Sequence, residues 1–485
     1  MPQKLLNRDL NTNIALLKNM FDSSMDLYTK KVTVRGIECC ACMFDGLSST
    51  EKLWVLMLDM LSRPEDRLES GEALLQYIHE YTDIPAESTL VEDVDDLITR
   101  LTAGMTVLLI DGCCKGVALS TQNMAYRAVS EPSGEGDIRG SREGFADLLR
   151  VNISLLRRLI RTPDLVIEMT RAGQRTKTEI ALCYDRTLIP SDFLKEIRRR
   201  LQTVNLPILL DSGYLLPFLQ KGHFTFFQQA GYTERPATAC AKICEGKLII
   251  LVNGSPFAMI LPYFFGENFQ SLDDYANKAY FASFIRVLKY LAFFMAVMLP
   301  GVFVSIAEFT PELFPPQLLY KVAAAERATP LPLFLEMVFV IIVLEIVREA
   351  GLRIPKPIGH TVSLVSALIV GDAAIKAGIL STPVVIVAAF TSISMFVIPS
   401  LYEPATVLRI LFTLAGGLIG PLGISAMFAI MVISMCNMDF LGVPYTAPLV
   451  PARRGGLRDG LLRFSLKDLS KHPFELKDLW RRGGK

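Results

Sequence analysis

Long runs of apolar residues divide the chain into a mixed front part and an apolar rear part. Residues 290–307, 377–402 and 410–438 contain 18, 26 and 29 residues without a charged side chain. A helix that crosses a bilayer needs about 20 predominantly apolar residues. One such run could be a buried core helix, but several in succession predict an α-helical, multi-pass membrane domain, which we place at residues 281–440.

Positive residues around the apolar runs predict how this domain crosses the membrane. We expect four spans, at residues 283–307, 333–347, 383–402 and 409–437. Lys and Arg residues follow the second and the last of these runs, and such residues are enriched on the cytoplasmic side. Both ends of the domain are therefore predicted to be cytoplasmic, which requires an even number of crossings. We interpret residues 361–380, which Gly371, Asp372 and Lys376 interrupt, as a re-entrant or amphipathic segment; a fifth full span is the alternative.

Shorter patterns in the front part predict a cytoplasmic α/β domain made of two small α/β subdomains. Strands are expected at 32–44, 106–110, 116–121, 178–185, 208–210 and 248–252. Helices are expected at 1–30, 54–61, 73–81, 141–161, 192–204 and 237–244, and a polar turn at 232–236. Several strands end in Asp or Asn beside Gly, as in LLIDG and LVNG, which suits tight turns and is compatible with two related units.

These patterns and the charge distribution give four regions. They are an N-terminal helix with the first subdomain (1–137), the second subdomain (138–280), the membrane domain (281–440) and a basic cytoplasmic tail (441–485). The formal net charge of the whole chain is only +1, so a nucleic-acid partner is not expected. The first residues lack the apolar core of a secretory signal, and the nine cysteines fit reduced thiols better than disulfides.

Motifs for catalysis and for metal binding are missing from the sequence. No phosphate-binding, dinucleotide-binding, zinc-protease or serine-hydrolase motif occurs. The four histidines, at 79, 223, 360 and 472, are scattered without partners at metal-ligand spacing. We therefore expect neither an enzyme nor a bound metal or cofactor.

Ionisable and hydroxyl residues inside the predicted membrane domain are the candidates for a pore or a gate. They are Glu336, Glu345, Ser363, Ser366, Asp372, Lys376, Thr391 and Ser394. Structural alternatives remain for them. Glu345 can pair with Arg348 at the interface, Asp372 and Lys376 can form an ion pair along one helix, and the hydroxyls can bond their own helix carbonyls. Gly416, Gly417 and Gly420 are assigned to close helix packing.

A second group of charged residues, in the second subdomain, marks a candidate contact between subunits. The later half of the predicted helix 141–161 is basic, and a solvated charged face is the default interpretation of such a pattern. Contact with another subunit is the alternative. The candidate interface residues are Arg139, Arg142, Glu143, Arg157, Arg158, Glu234 and Arg235.

Several long motifs of the chain resemble those of one protein family. They include IRGSREGFADLLRVNISLLRRLIRTPDL (138–165), YTERPATACAKICEGKLIILVNGSPFAMILP (232–262), EIVREAGLRIPKPIG (345–359) and FLGVPYTAPLVP (440–451). In order and wording they resemble the GerA family of spore germination membrane proteins, over nearly the whole chain. The resemblance is to the A-subunit type, which includes the germinant receptor A subunits and the SpoVAF proteins.

The resemblance implies a multi-pass protein of the spore inner membrane that forms a homo-oligomer, proposed to be a pentameric channel. Such a channel would release monovalent cations during germination. Its partners would be other germination membrane proteins, namely B-type and C-type receptor subunits or a small SpoVAF partner. A secondary transporter and a membrane-anchored signalling scaffold are the alternatives; no inverted repeat that would favour a transporter is visible in the sequence.

Overall fold

The fold is that of a computed structural model of the chain. The structure describes residues 5–22, 24–51, 70–81, 88–122, 131–132, 134–136, 140–220, 225–353, 371–450, 454–471 and 475–479. The helix predicted at 54–61 lies outside these residues, as does the first half of the segment predicted to be re-entrant.

The first subdomain is a five-stranded antiparallel sheet in the order β1-β2-β4-β5-β3. Its strands are β1 (Leu27–Val34), β2 (Ile37–Phe44), β3 (Ser88–Val91), β4 (Thr106–Ile110) and β5 (Gly116–Leu119). Helices α1 (Leu10–Met20) and α3 (Val94–Thr102) pack on one face, and α2 (Gly71–Gln76) packs on the other. Alternate side chains of the strands fill the two cores because successive residues point to opposite faces.

The second subdomain repeats this topology. Its sheet has the order β6-β7-β9-β10-β8, which is the order of the first sheet with five added to every strand number. The strands are β6 (Leu165–Ala172), β7 (Thr178–Asp185), β8 (Gly231–Thr233), β9 (Leu248–Val252) and β10 (Ala258–Leu261). Helices α4 (Leu149–Leu159), α5 (Ser191–Gln202), α6 (Leu216–Leu219), α7 (Pro236–Cys244) and α8 (Leu272–Ala276) accompany them. The repeated order supports two related units.

Several boundaries in the α/β part differ from the prediction. The strand expected at 32–44 belongs to a hairpin that turns at Arg35 and Gly36, both with positive φ. The helix expected at 141–161 begins only at Leu149, because Asn152 bonds the backbone of Ala146 in both directions and holds the preceding residues extended. The turn expected at 232–236 contains the end of β8 and the first residue of α7. The short strand expected at 208–210 does not form.

The rear part is a helical bundle. Its helices are α9 (Ala279–Phe309), α10 (Pro316–Arg327), α11 (Leu333–Arg353), α12 (Thr382–Phe396), α13 (Tyr402–Ile419) and α14 (Pro421–Asn437). Among the described residues, two helical stretches are long and apolar enough to cross a membrane, 279–309 and 399–419. α12 and α14 are shorter apolar helices.

One predicted span of this bundle is interrupted. The span expected at 409–437 is broken at Gly420, whose φ is +74°, so that α13 and α14 are separate helices. Proline at the next position cannot continue the first helix but suits the start of the second. The start of α12 lies beside the start of α11, where the backbone N–H of Ser381 donates to the carboxylate of Glu336.

Close packing of α9 against α13 forms the centre of the bundle. A side chain at Gly301 would collide with the backbone at Phe412, and one at Gly416 would collide with the carbonyl group of Gly301. The two helices therefore approach each other backbone to backbone, as small residues allow in membrane proteins. The packing role predicted for Gly416 agrees with this geometry.

The C-terminal segment folds back onto the point where the α/β part meets the bundle. It contains β11 (Asp439–Phe440), β12 (Val443–Pro444), α15 (Arg454–Gly460), α16 (Leu466–Lys471) and α17 (Leu476–Leu479). Leu476 and Leu479 are buried in a small apolar cluster with Phe264. The basic tail predicted from the sequence is thus partly packed against the rest of the chain.

Candidate functional site

Buried charges join the second subdomain to the entrance of the bundle. We call Lys242, Glu245, Lys247 and Glu267 the junction cluster. Lys242 Nζ lies 2.6 Å from Glu267 Oε1 and 3.0 Å from Glu245 Oε2, and Lys247 contacts the other oxygen of Glu267. The two lysines and Glu267 expose at most a tenth of their side chains. The two positive and two negative charges therefore balance, and Glu245 is the one that keeps contact with solvent, with 27% of its side chain exposed.

Burial and charge act in opposite directions on the titration of this cluster. Burial alone would raise the pKa of Glu267, but the charges of Lys242 and Lys247 lower that pKa to about 2. Burial lowers the pKa of Lys247 to about 8, against the opposing effect of Glu267. Glu267 is thus held as a carboxylate over the whole physiological range.

Glu267 also fixes the segment that leads into the bundle. Its Oε2 accepts a hydrogen bond of 2.8 Å from the backbone N–H of Phe264, at the start of a 3-10 helix over Phe265–Phe269. The rings of Phe265 and Phe269 pack against Tyr290 and Phe293 of α9. A charge held by the second subdomain is thus connected through one short helix to the first long helix of the bundle.

Arg286, near the start of α9, forms the second part of this junction. Its guanidinium is fully buried and lies 2.9 Å from Asp274 of α8 and 3.0 Å from Asp459 of α15. Tyr275 also donates a hydrogen bond of 2.7 Å to Asp459. One arginine therefore ties α9 both to the end of the α/β part and to the C-terminal segment. The sequence did not predict this contact, because Asp459 is 173 residues away along the chain.

Another buried arginine joins the two subdomains. Arg157 of α4 is fully buried; its Nε and one terminal nitrogen lie 2.8 and 3.0 Å from the carboxylate of Asp26. The same terminal nitrogen donates to the hydroxyl oxygen of Ser24 at 3.2 Å. Arg157 was a candidate for contact between subunits, but the structure encloses its side chain inside one chain.

The other interface candidates also have partners within the chain where the structure describes them. Arg158 contacts Glu143, and Arg142 lies 3.4 Å from Glu131 on the surface. Arg235 is buried and donates to the backbone carbonyl of Ser141 at 2.5 Å, and Glu234 accepts from the backbone of Gly134 at 3.0 Å. Arg139 lies outside the described residues.

Among the described residues of the bundle, Glu345 on α11 is the centre of a polar cluster. Its carboxylate contacts both Arg409 and Tyr402 of α13, and it lies 3.3 Å from Nε of Arg348. The guanidinium of Arg348 stacks over the Tyr402 ring at 3.3 Å from its centroid. The predicted Glu345–Arg348 pair is present, but sequence reasoning missed Arg409. In the sequence, Arg409 could have been recognised as a lone arginine inside an otherwise apolar stretch.

Glu336 lies at the opposite end of the same helix in a very different environment. Its side chain has no exposed area, and its Oε1 accepts a hydrogen bond from the backbone N–H of Ser381. Its Oε2 and the hydroxyl of Ser381 have no hydrogen-bond partner among the residues that the structure describes. A fully buried carboxyl group is therefore only half satisfied.

Thr391 and the pair Asp372–Lys376 follow their structural alternatives. Thr391 is buried and donates to the carbonyl oxygen of Val387 in its own helix at 2.8 Å, and Ser394 is buried as well. Asp372 and Lys376 form an exposed ion pair at 2.6 Å, one helical turn apart. Ser363 and Ser366 lie outside the described residues. Within the described part of the chain, no group of three or more His, Cys, Asp or Glu residues is arranged to hold a metal ion.

Comparisons with known proteins give matches over most of the chain. A family model described as "Bacillus/Clostridium GerA spore germination protein" matches residues 15–474. Spore germination protein KA of Bacillus subtilis is 33% identical over 465 residues, which are 95% of this chain and 85% of that protein. Membrane protein YfkQ of the same organism is 32% identical over 410 residues, 84% of this chain and 79% of that protein.

One solved structure also resembles the chain. It is the N-terminal domain of the A subunit of the Bacillus megaterium spore germinant receptor GerK3, with 25% sequence identity. The similarity covers 55% of this chain and 99% of that domain, with a TM-score of 0.45.

Proposed function

The chain belongs to the GerA family of spore germination proteins, and on that premise we propose that it is an A-type subunit of an ion channel. In this proposal several copies, five by family resemblance, assemble in the spore inner membrane and conduct monovalent cations. The channel acts as part of a nutrient germinant receptor or as a SpoVAF-like amplifier of ion release. Its α/β subdomains lie in the cytoplasm and control the opening of the channel.

The outer surface of the bundle supports a membrane location. Large apolar side chains are exposed along α9, α11, α12 and α14. Examples from these four helices are Leu291, Ile346, Ile393 and Ile433, each with more than half of its side chain exposed. Soluble monomers rarely leave so many large apolar residues uncovered. A lipid bilayer, with further copies of the chain, provides the cover that these faces need.

One observation carries the gating part of the proposal: two groups of buried charges lie where the α/β part meets the bundle. The junction cluster holds the entry helix through Glu267, and Arg286 holds α9 itself through Asp274. Breaking a buried ion pair by removing one partner costs about 3–5 kcal/mol. A displacement of the second subdomain is therefore transmitted to α9 rather than absorbed by a loose linker.

A signalling scaffold is the second candidate, and the bundle contains an observation in its favour. The polar groups around Glu345, together with Thr391, are paired inside one chain. A single copy thus presents no row of free polar side chains among these residues. The channel proposal accordingly requires the water-filled path to lie between copies, whereas a scaffold requires no path.

The experiment is cation flux from proteoliposomes that contain the purified full-length chain. Flux that is lost in Arg286→Ala but kept in the exposed control Arg353→Ala supports a channel gated through the junction. Native mass spectrometry in detergent measures the number of copies in parallel. An assembled oligomer with no flux in the wild type, under stimulation as well as at rest, would favour the scaffold.

A further inference from the structure

The carboxyl group of Glu336 has an unusual combination of complete burial and incomplete hydrogen bonding. One oxygen accepts from the backbone of Ser381, but the second oxygen and the neighbouring hydroxyl have no partner among the described residues. A buried polar group without a partner costs about 1–3 kcal/mol, and a charged one costs more. The ionised form of this carboxyl group is therefore disfavoured at this position.

Two other acids, Glu308 and Glu326, belong to the surroundings of Glu336. Glu308 at the end of α9 accepts from the backbone of Phe334, two residues before Glu336. Glu326 of α10 is close enough for its charge to act on Glu336. Of the described residues on the segment before α12, Asp372 and Lys376 pair with each other. No positive side chain of the described residues forms an ion pair with Glu336.

Among the described residues, helix N-termini offer partial compensation for a negative charge here. Glu336 lies in the first turn of α11, and its Oε1 meets the first backbone N–H group before α12. A helix N-terminus stabilises an adjacent carboxylate by about 0.3–1 kcal/mol, and by about 2 kcal/mol in favourable buried geometry. An ionised carboxylate in an apolar interior loses much more than that in hydration. The helix ends orient the carboxyl group without neutralising it.

We propose that Glu336 and Ser381 form a proton-binding site, in which Glu336 is protonated and its Oε2–H is shared with the Ser381 hydroxyl oxygen. The proton comes from water and returns to water when the site opens. While the proton is bound, both carboxyl oxygens have partners and no charge is buried. When it leaves, an uncompensated negative charge remains between the starts of α11 and α12. Loss of the proton is thereby linked to separation of these two helix ends.

This inference concerns the folded bundle and does not depend on ion conduction. The test is infrared difference spectroscopy of the purified full-length chain in detergent at pH 7. We expect wild-type protein to show a protonated-carboxyl C=O band that is missing from Glu336→Gln. The matched control is Glu345→Gln, on the same helix, in which the band should remain. A wild-type spectrum that Glu336→Gln leaves unchanged in this region would overturn the proposal.

A second measurement keeps the proposal testable if Glu336→Gln does not fold. In Ser381→Ala the same band should shift in frequency, because the carboxyl proton loses its acceptor. The unfolding temperature, measured as a function of pH, gives an independent test of proton binding. A site that binds its proton more tightly in the folded state stabilises the protein at lower pH and loses that stability as pH rises. A band that does not move in Ser381→Ala, together with no such loss, would count against the site.

Discussion

Helix α11 carries two glutamates in opposite environments, and the difference shows how a bundle handles a buried carboxyl group. Glu345, at the end beside the α/β part, contacts two arginines and a tyrosine hydroxyl. Glu336, nine residues or about 14 Å away along the helix, has one backbone N–H and no cation among the described residues. The first charge is held by partners, whereas we propose that the second is removed by a proton.

This difference has a simple physical basis. Moving a carboxylate from water into the protein interior costs free energy. Ion pairs with excellent geometry can offset this cost, and protonation avoids it. Glu345 keeps about a quarter of its side chain exposed and meets Arg409, which is nearly fully buried. Glu336 has neither exposure nor, among the described residues, a cation. We therefore expect substitutions that break buried ion pairs, such as those of Glu345, to reduce the stability of the protein most. Neutralisation of an unpaired carboxyl group such as Glu336 should reduce stability little.

The largest effect is expected at Glu267, where the ion-paired environment is most complete. Glu267→Gln leaves Lys242 and Lys247 buried without their shared carboxylate, and breaking such a buried network costs about 3–5 kcal/mol. Chemical denaturation of the full-length chain in detergent measures this loss. The matched control is Glu349→Gln, on the exposed pair with Arg353, which should change stability by less than about 1 kcal/mol.

Lowering the pH should reduce the stability that comes from the ion pairs of Glu267, whereas it should favour the protonated form of Glu336. The pKa of Glu267 is lowered to about 2 by its lysines, so its ion pairs stabilise the protein fully above the unfolded value of 4.5. That stability is lost as pH falls from 4.5 toward 2, because the unfolded state then binds the proton first. Glu267→Gln should flatten this part of the stability profile. An equally steep acid loss in the variant would show that the junction cluster is not its source.

The second effect is expected at Arg409. Arg409→Met removes the cation that contacts Glu345 and leaves the carboxylate with Tyr402 and the partly exposed Arg348. We expect a loss of about 3 kcal/mol, at the lower end for a broken buried pair because Glu345 reaches solvent. The double variant Glu345→Gln with Arg409→Met should recover part of this loss. If the double variant is less stable than Arg409→Met alone, the pairing account is wrong.

The sequence predicted the fold best where each element shows its own pattern. The strands at 178–185 and 248–252 appear at the predicted residues because their apolar runs end in clear turn residues. The hairpin at Arg35 was missed because an arginine with positive φ has no such signal. The break at Gly420 was visible as Gly followed by Pro, but the length of the apolar run was given more weight.

The candidate site was less predictable because its contacts are distant along the chain. Glu345 and Arg348 are three residues apart, so their pairing follows from helical spacing alone. Arg409 and Glu345 are 64 residues apart, and Arg286 and Asp459 are 173 apart. Arg157 has the same difficulty, since its partner Asp26 lies in the other subdomain. Only the fold brings these groups together.

The smallest loss of stability is expected from a substitution at Ser381. It tests most directly whether Glu336 differs from Glu345 in being protonated. Ser381→Ala removes the hydroxyl but keeps the backbone N–H that donates to Glu336, so the start of α12 stays in place. With a protonated Glu336 the variant loses one neutral hydrogen bond, about 0.5–1.5 kcal/mol. Ser381→Cys, similar in size with a weaker hydrogen-bonding group, is the control for packing.

The same substitution in a Glu336→Gln background distinguishes a protonated carboxyl group from an ionised one. Ser381→Ala should cost about the same in that background as in the wild type, since the introduced amide can also donate to the hydroxyl oxygen. A much larger loss in the wild type than in the Glu336→Gln background would mean that the hydroxyl stabilises an ionised carboxylate. Glu336 and Glu345 would then both be ionised, and they would differ only in the partners that stabilise their charges.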